Sequence, residues 1–500
     1  MWVRAARPAR DAAVIDIGSN SVRLVIYRLE GRAIWTVFNE KVLAGLGRDL
    51  FTTGALAPDG VAASLAAIRR FRAVLEAASP TSVFVAATAA VREAKDGPAF
   101  VQKVKQETGF KVRVLTGTEE ARYSALGVLA GAPDSLGVVG DLGGSSLELT
   151  TIDQGKVGFG ITLPLGPFAL GAPAAFDPIA VHARVERQLD QVDISPFVTK
   201  QFHAVGGAWR NLALLQMRMT DYPLRIVHQY TMSAAEAQDA ARLVARQSRG
   251  SLERIEGMSR KRLETLPYAA SVLDSLIIRL GLEQITLSAY GLREGLLLEA
   301  MPEAYRGLDP LIEGCAALGA RQGVAEDLGA ALEDWLFKGF EALPSPFAPG
   351  RERTLRAAAC RLADLGARLH PDHRADLVFE QVLRAPISGM SHSERAFLAL
   401  AAFARHAPMA SAPDEIVLTK VLSEDQHTRA RALGAAMRLG CDLSGRSPAL
   451  LSAASLSITD KEVLLTAKAA SADLLLGEQT HKRASVLAQL LNKILNIRAA

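Results

Sequence analysis

Two short segments of this chain, Asp16–Leu24 and Asp141–Leu149, follow the same nine-residue pattern. The first reads DIGSNSVRL and the second DLGGSSLEL, so aspartate, glycine, serine, a charged residue and leucine recur at the same offsets. β-Branched runs flank each copy, a pattern that predicts two strands joined by a tight turn. One such hairpin is commonly only a turn. Two copies, 125 residues apart, indicate a duplicated domain whose paired loops face one cleft.

The residue types in these loops suit phosphate binding. Glycine lets the backbone approach an anion closely, and serine and asparagine add further donors. The leading aspartates, Asp16 and Asp141, cannot face phosphate favourably without a cation, which implies Mg²⁺ or another divalent ion held largely through water. Two structural turns, with Asp16 bonding its own backbone, are the alternative. The candidate phosphate-binding residues are Gly18, Ser19, Asn20, Ser21, Gly143, Gly144, Ser145 and Ser146.

The rest of the chain predicts an α/β core followed by an all-helical region. With 500 residues, the chain exceeds what one hydrophobic core usually organises. Strand and helix patterns alternate to about residue 300, and Ala and Leu recur at helical spacing beyond Gly307. The main expected elements are strands at 13–17, 22–27, 82–87, 111–115, 137–141 and 147–152, short strands at 202–205 and 285–288, a helix from Pro58 to about 77, a helix at 100–108, a helix capped by Thr118, helices at 178–190, 207–218 and 233–246, and a loop at 344–349.

Composition excludes several classes of protein. The net charge of +4 is compatible with a polyanionic ligand, but no nucleic-acid partner is expected. No run of 18 or more apolar residues is present, so no membrane partner is expected, and the basic segment 1–10 does not resemble a signal peptide. The three cysteines have no C-x-x-C spacing, which indicates buried thiols in a reducing compartment, the cytoplasm.

Five motifs together resemble a known family. They are DIGSNS at 16–21, ATAAVR at 87–92, LTGTEEAR at 115–122, DLGGSSLE at 141–148 and LREG at 292–295. In this order they resemble the exopolyphosphatase / guanosine pentaphosphate phosphohydrolase (Ppx/GppA) family of the actin-like superfamily. The resemblance implies a duplicated actin-like (ribonuclease H-like) core of two subdomains, 1–135, with a return helix near 290–305, and 136–300. A helical HD-like region, 308–500, would follow.

The resemblance also implies an activity. Family members remove terminal phosphate from inorganic polyphosphate, or from guanosine pentaphosphate, with a divalent metal ion. By this resemblance Glu120 orients the attacking water, with Glu119 as its rival, Asp141 and Glu148 hold the metal, and Arg92 contacts phosphate. A homodimer is expected.

Simpler interpretations of the same residues stay open. Glu119 and Glu120 lie in the first turn of a predicted helix, where acidic residues favour the helix dipole. An isolated arginine such as Arg92 is most often a surface cation. A binding protein that does not hydrolyse polyphosphate, and a kinase or ATPase with a nucleotide turn at Gly206-Gly207, are the alternatives of function.

The chain departs from the family pattern at several positions. Ser145 and Leu147 replace a glycine and a threonine of the second loop, and Ala169 stands where a basic residue is common. Near residue 370 the HD-like region has no His-Asp dipeptide, so a module without metal is expected. There Arg351, Arg353 and Arg356 share one helical face, which is either a solvated surface or an extension of a polyanion track.

Overall fold

The computed structural model describes residues 9–247 and 263–500, which divide into two compact units, 1–308 and 309–500. The first unit contains two β-sheets and the helices that cover them. The second unit is mainly helical. Each unit is described by itself below.

The first sheet is built around the first copy of the repeat. Strands β1 and β2 form an antiparallel hairpin in which Asp16 faces Arg23 and Ile17 faces Val22. The sheet order is β3-β2-β1-β4-β5, with β4 and β5 joined in parallel to the β1 side. The strands are β1 Arg10–Ile17, β2 Val22–Glu30, β3 Ala33–Val42, β4 Ser82–Ala87 and β5 Arg113–Val114.

The second sheet repeats this arrangement around the second copy. Strands β6 and β7 form the hairpin in which Asp141 faces Glu148 and Leu142 faces Leu147. The sheet order is β10-β11-β9-β6-β7-β8, so β8-β7-β6-β9-β11 has the same order and directions as β3-β2-β1-β4-β5. This confirms the predicted duplication. The strands are β6 Gly137–Leu142, β7 Leu147–Asp153, β8 Lys156–Leu163, β9 Gln201–Val205, β10 Thr231–Ser233 and β11 Gln284–Leu287.

Most of the helices expected in this unit are found, and three strands are additional. Helix Pro58–Ala78 begins with proline, whose fixed φ suits the first helical position. Strands β3, β8 and β10 were not predicted, although apolar residues occupy every second position of β8. The helices of the first unit are Leu50–Thr53, Pro58–Ala78, Ala89–Glu93, Gly97–Thr108, Gly117–Gly131, Pro178–Asp190, Gly207–Met219, Ala234–Arg246, Leu266–Leu280, Leu292–Ala300 and Glu303–Arg306, with a 3₁₀ turn at Ser195–Phe197.

Helix Leu292–Ala300 packs against the first sheet. Its buried leucines share a core with Ala12, Val14 and Tyr27 of β1 and β2. It also crosses helix Gly117–Gly131 so closely that a Cβ at Gly295 would lie 1.9 Å from a backbone oxygen of that helix. The glycine of the LREG motif is therefore required by packing.

The second unit needs one correction to the expected all-helical region. It is mainly helical, but its last part forms a three-stranded sheet in the order β12-β13-β14. The strands are short and contain serine and alanine, which are not typical strand residues. They are β12 Ala454–Ile458, β13 Glu462–Ala467 and β14 Ile494–Ala499. The helices are Pro310–Arg321, Glu326–Glu341, Arg351–Arg361, Arg374–Arg384, His392–Ala404, Glu415–Val421, Glu424–Ser444, Pro448–Leu451, Ala472–Leu475 and Glu478–Leu490, with a 3₁₀ turn at Ala469–Ser471.

Two sequence features of this unit have structural explanations. Arg351 pairs with Glu394 at 2.5 Å and Arg356 is buried, with its guanidinium over Phe337 and Phe340. The three arginines therefore do not form a continuous exposed track. Within residues 9–247 and 263–500, no group of three or more His, Cys, Asp or Glu side chains is arranged to hold a metal ion.

Candidate functional site

Both copies of the repeat open onto one cleft of about 410 Å³ in the first unit. The turns of β1-β2 and β6-β7 line it, as do the start of the return helix and the turn after β9. Of the residues predicted for the site, the cleft is lined by Asp16, Gly18, Ser19, Asn20, Ser21, Glu120, Asp141, Gly143, Gly144 and Ser146.

The two turns have the same backbone geometry. Gly18 N donates to Ser21 O at 3.0 Å, and Gly143 N donates to Ser146 O at 2.9 Å. A Cβ at either glycine would meet the backbone oxygen of the serine at 3.4 Å, and at Gly143 also the Ser146 hydroxyl at 3.6 Å, which are ordinary contacts. The turn itself therefore does not require glycine at these positions, and a need for glycine would come from a ligand.

Neighbouring loops hold both turns from behind. The carbonyls of Ser19 and Asn20 accept hydrogen bonds from Gly47 N (2.8 Å) and Gly45 N (3.1 Å). In the second turn the carbonyls of Gly144 and Ser145 accept from Phe168 N (2.8 Å) and Gly166 N (3.2 Å). These bonds occupy carbonyl oxygens, which would repel an anion, and they fix the turns at the cleft wall.

Glu120 is the central carboxylate of the cleft. It is buried, and Arg92 Nη1 donates to its Oε2 at 2.9 Å. Burial raises the pKa of Glu120 to about 7, and the charges of Asp141 and Asp16 add to this effect although Arg92 opposes it. A carboxylate with a pKa near neutrality is suited to accept a proton from water.

Glu119, its sequence neighbour, lies outside the cleft. Its carboxylate accepts from Thr116 N (2.9 Å) and from Arg113 Nη2 (2.6 Å), and Thr116 Oγ1 accepts from Glu119 N in return. This capping box begins the helix, so the predicted cap at Thr118 was wrong by two residues. Hydrogen bonding to the Thr116 backbone holds the pKa of Glu119 below its ordinary value.

Asp141 and Glu148 stand opposite each other in the second hairpin. Asp141 is half-buried and lines the cleft, Glu148 is buried, and desolvation raises the pKa of both carboxyls. Ser124 Oγ donates to Asp141 Oδ2. Glu148 is not among the residues that line the cleft, and within the described residues its Oε1 has no hydrogen-bond partner. The second copy thus carries buried negative charge that a cation would stabilise.

Two further predicted residues do not line the cleft. Arg92 donates to Leu115 O and to Glu120, so its observed contacts position the carboxylate. The Ser145 side chain is buried against Gly47, at 3.2 Å from where a Cβ on that glycine would lie. The departure from glycine at Ser145 therefore does not place a side chain in the cleft.

Four basic residues of the cleft were not among the predicted site residues: Arg23, Lys41, Arg210 and Arg293. Arg293 Nη1 donates to Asp16 Oδ2 at 2.9 Å. Arg210 is half-buried, and desolvation together with the charge of Arg293 lowers its pKa to about 10. Two sequence signals were available, because Arg23 is the charged residue inside the repeat and Arg293 belongs to the LREG motif.

This arrangement places a carboxylate of near-neutral pKa beside two anion-binding turns and a group of cations. It suits a substrate with several phosphates. Since no three His, Cys, Asp or Glu side chains of the described residues are arranged to hold a metal ion by themselves, the residues fit a divalent cation of the Mg²⁺ type, which typically takes one or two carboxylates and completes its shell with water and phosphate oxygens. The unpartnered Oε1 of Glu148 and the raised pKa of Asp141 are the observations that support this fit.

Comparisons with known proteins point the same way. Residues 25–304 match the Ppx/GppA phosphatase family, and residues 332–497 match the exopolyphosphatase C-terminal domain. The chain is 25% identical over 318 residues to Exopolyphosphatase 1 of Mycobacterium tuberculosis, covering 61% of this chain and 90% of that protein.

Solved structures show the same fold. A crystal structure of an exopolyphosphatase from Cytophaga hutchinsonii superposes with a TM-score of 0.55 at 22% identity, covering 58% of this chain and 97% of that one. The Aquifex aeolicus member of the Ppx/GppA family gives a TM-score of 0.51 at 25% identity, covering 59% and 98%.

Proposed function

This chain belongs to the Ppx/GppA phosphatase family, and from that premise we propose that it is an exopolyphosphatase, which releases terminal orthophosphate from inorganic polyphosphate. The observation that carries the proposal is the cleft, where two matching turns and Glu120 face the same space. The exopolyphosphatase of Mycobacterium tuberculosis supports the choice of substrate.

In the proposed mechanism the two turns grip the end of the phosphate chain through backbone N–H groups and serine hydroxyls. Glu120 aligns a water molecule for in-line attack on the terminal phosphorus and accepts its proton. The bond from that phosphorus to the bridging oxygen breaks, and orthophosphate leaves. Arg92 keeps the Glu120 carboxylate in place.

A divalent cation, Mg²⁺ by our proposal, would be held by Asp141 and Glu148, with Asp16 on the other side of the cleft. When bound, such an ion neutralises charge on the phosphate oxygens in the transition state. Asp16 contacts Arg293, so its share in holding the ion depends on that contact.

Guanosine pentaphosphate is the second candidate substrate. One part of the cleft wall carries apolar side chains of Ala208, Leu214 and Val227 beside Asn211, a surface that a nucleoside could cover. Measuring phosphate release from both substrates, in competition, decides between them.

The test of the proposal is phosphate release from polyphosphate of several lengths and from guanosine pentaphosphate, with Mg²⁺ and with EDTA. Release that requires the metal supports the proposal. Tight binding of polyphosphate without turnover would instead identify a binding protein, and ATP turnover would identify a kinase or ATPase.

We also propose that the protein is a cytoplasmic homodimer. Cys315, Cys360 and Cys441 are buried free thiols, which is typical of a reducing compartment. Light scattering of the purified protein tests the dimer, and fractionation of cells tests the location. Independently of these proposals, no helix within the described residues is long and apolar enough to cross a membrane.

A further inference from the structure

Arg293 lies in the first turn of the return helix and faces the cleft. It is the second residue of helix Leu292–Ala300, lines the cleft, and donates from Nη1 to Asp16 Oδ2 at 2.9 Å. Only 13% of the Arg293 side chain and 21% of the Asp16 side chain are exposed. The contact joins the LREG motif to the first copy of the repeat.

Glu294, the acidic neighbour of Arg293 in sequence, forms hydrogen bonds with other residues. Glu294 is buried, and its carboxylate accepts from Tyr27 Oη at 2.5 Å and from Gly291 N at 2.9 Å. These two bonds fix the start of the return helix against β2. The orientation of Arg293 is therefore set by a rigid support.

Two guanidinium donors on this side of the cleft have no acceptor among the described residues. Within the described residues, the Nε atoms of Arg293 and Arg210 are buried and have no hydrogen-bond partner. Arg23, Arg210 and Arg293 also repel one another. Buried guanidinium donors without acceptors are costly, and an arriving anion with several oxygens would satisfy them.

We propose that Arg293 is a positioning residue that changes partner during the reaction cycle. In the resting protein it neutralises Asp16 and so competes with the divalent cation for that carboxylate. When the cation and the phosphate chain enter together, Arg293 transfers its donors to a phosphate oxygen, and Asp16 turns to the cation. This inference rests on the proposed function, because it assumes a phosphate substrate carried with a cation.

The exchange couples the binding of the cation to the binding of phosphate. A cation alone must displace Arg293 and leave its charge unpaired, and a phosphate alone must compete with Asp16 for the guanidinium. Both costs vanish when the two ligands arrive together. Cation and phosphate are therefore expected to bind cooperatively, each strengthening the other by the same factor.

Calorimetry on the full chain tests the exchange without hydrolysis. The probes are Mg²⁺ alone and imidodiphosphate with Mg²⁺, a phosphate pair that is not cleaved. For Arg293→Gln we expect Mg²⁺ alone to bind about tenfold tighter and Mg²⁺-imidodiphosphate to bind about tenfold more weakly, since one acceptor–donor contact of this strength is lost. Arg293→Lys, which keeps the charge, should leave Mg²⁺ affinity within about twofold of wild type.

The opposite directions distinguish exchange from structural damage. If Arg293→Gln weakens both ligands, Arg293 only supports the fold of the site and the proposal is overturned. If neither affinity changes, Asp16 and Arg293 do not compete with the ligands, which also overturns it.

A second pair of variants covers the case in which Arg293→Gln does not fold. Asp16→Asn releases Arg293, so imidodiphosphate without metal should bind about fivefold tighter than in wild type. Asp141→Asn removes a charge of the same sign but keeps the hydrogen bond from Arg293 to Asp16, and equal tightening there would contradict the exchange. These experiments measure binding and not turnover. A protein that releases no phosphate from polyphosphate would therefore refute the proposed function without deciding the exchange.

Discussion

The two copies of the repeat have the same turn but opposite electrostatic partners. In the first copy Asp16 stands opposite a base, Arg23, and in the second Asp141 stands opposite an acid, Glu148. Asp16 is further paired with Arg293, whereas burial raises the pKa of both acids of the second copy. The difference teaches that the two copies share a backbone geometry but not a charge environment: basic side chains face the aspartate of the first copy, and a second acid faces the aspartate of the second.

The largest expected effect is on kcat, and it comes from replacing Glu120, whose carboxylate lies near the acids of the second copy. Glu120→Gln should lower kcat for phosphate release about 100- to 10,000-fold, because it removes the group that aligns and deprotonates water. The matched control is Glu119→Gln, one residue away and outside the cleft, with kcat within a few-fold of wild type. A Glu120→Gln variant with full activity would move the base elsewhere.

The next effect comes from making the first copy acidic like the second. Arg23→Glu places a carboxylate where we expect phosphate, and the loss of a charge-assisted contact should raise KM for polyphosphate roughly ten- to hundredfold. Arg23→Gln, without the added negative charge, should raise KM less. Steady-state kinetics at saturating Mg²⁺ measures both, and an unchanged KM in Arg23→Glu would remove Arg23 from the phosphate side.

A smaller effect should appear in stability against pH. Because the pKa of Glu148 is raised in the folded protein, the folded state binds its proton more tightly than the unfolded chain does. Stability from this group is therefore present at low pH and lost as pH rises. With EDTA, Glu148→Gln should have a higher Tm than wild type at pH 8, and the gain should shrink at pH 5.

For Glu119 the same experiment should show the opposite dependence of Tm on pH. Its pKa is lowered in the folded protein, so its contribution is present at neutral pH and lost as pH falls. Glu119→Gln should therefore have a lower Tm than wild type at pH 8, with the difference shrinking on acidification. Parallel behaviour of the two variants would show that burial of the second copy is not the cause.

The smallest effect should be common to both copies. Gly18→Ala and Gly143→Ala each add a methyl group only 3.4 Å from a serine oxygen, so neither should lower the Tm, and a gain of about 0.4–1 kcal/mol is expected. If close approach to phosphate requires glycine, KM should rise a few-fold in both variants. A rise in one variant alone would show which turn contacts the substrate more closely.

Much of the site could be predicted from sequence because the repeat is local. The turns, their strands and their leading aspartates follow from a pattern within nine residues, and the family motifs bring in Glu120. Strands β3, β8, β10 and β12–β14 were missed although apolar residues alternate along β8 and β12, because such short segments are identified as strands only by their pairing with neighbouring strands. Arg210 was missed because a single arginine on a helix carries no local signal.

The sequence by itself determined the duplication, the two hairpins and the order of the core elements, since these depend on short-range periodicity and turn residues. Only the tertiary structure placed Glu120 in the cleft and Glu119 outside it, because the two residues lie in one helical turn and point to different sides of the helix. It also decided that Ser145 points away from the cleft and that Arg293, 277 residues from Asp16, is its partner. Such choices depend on burial and on contacts distant in sequence, which no local pattern contains.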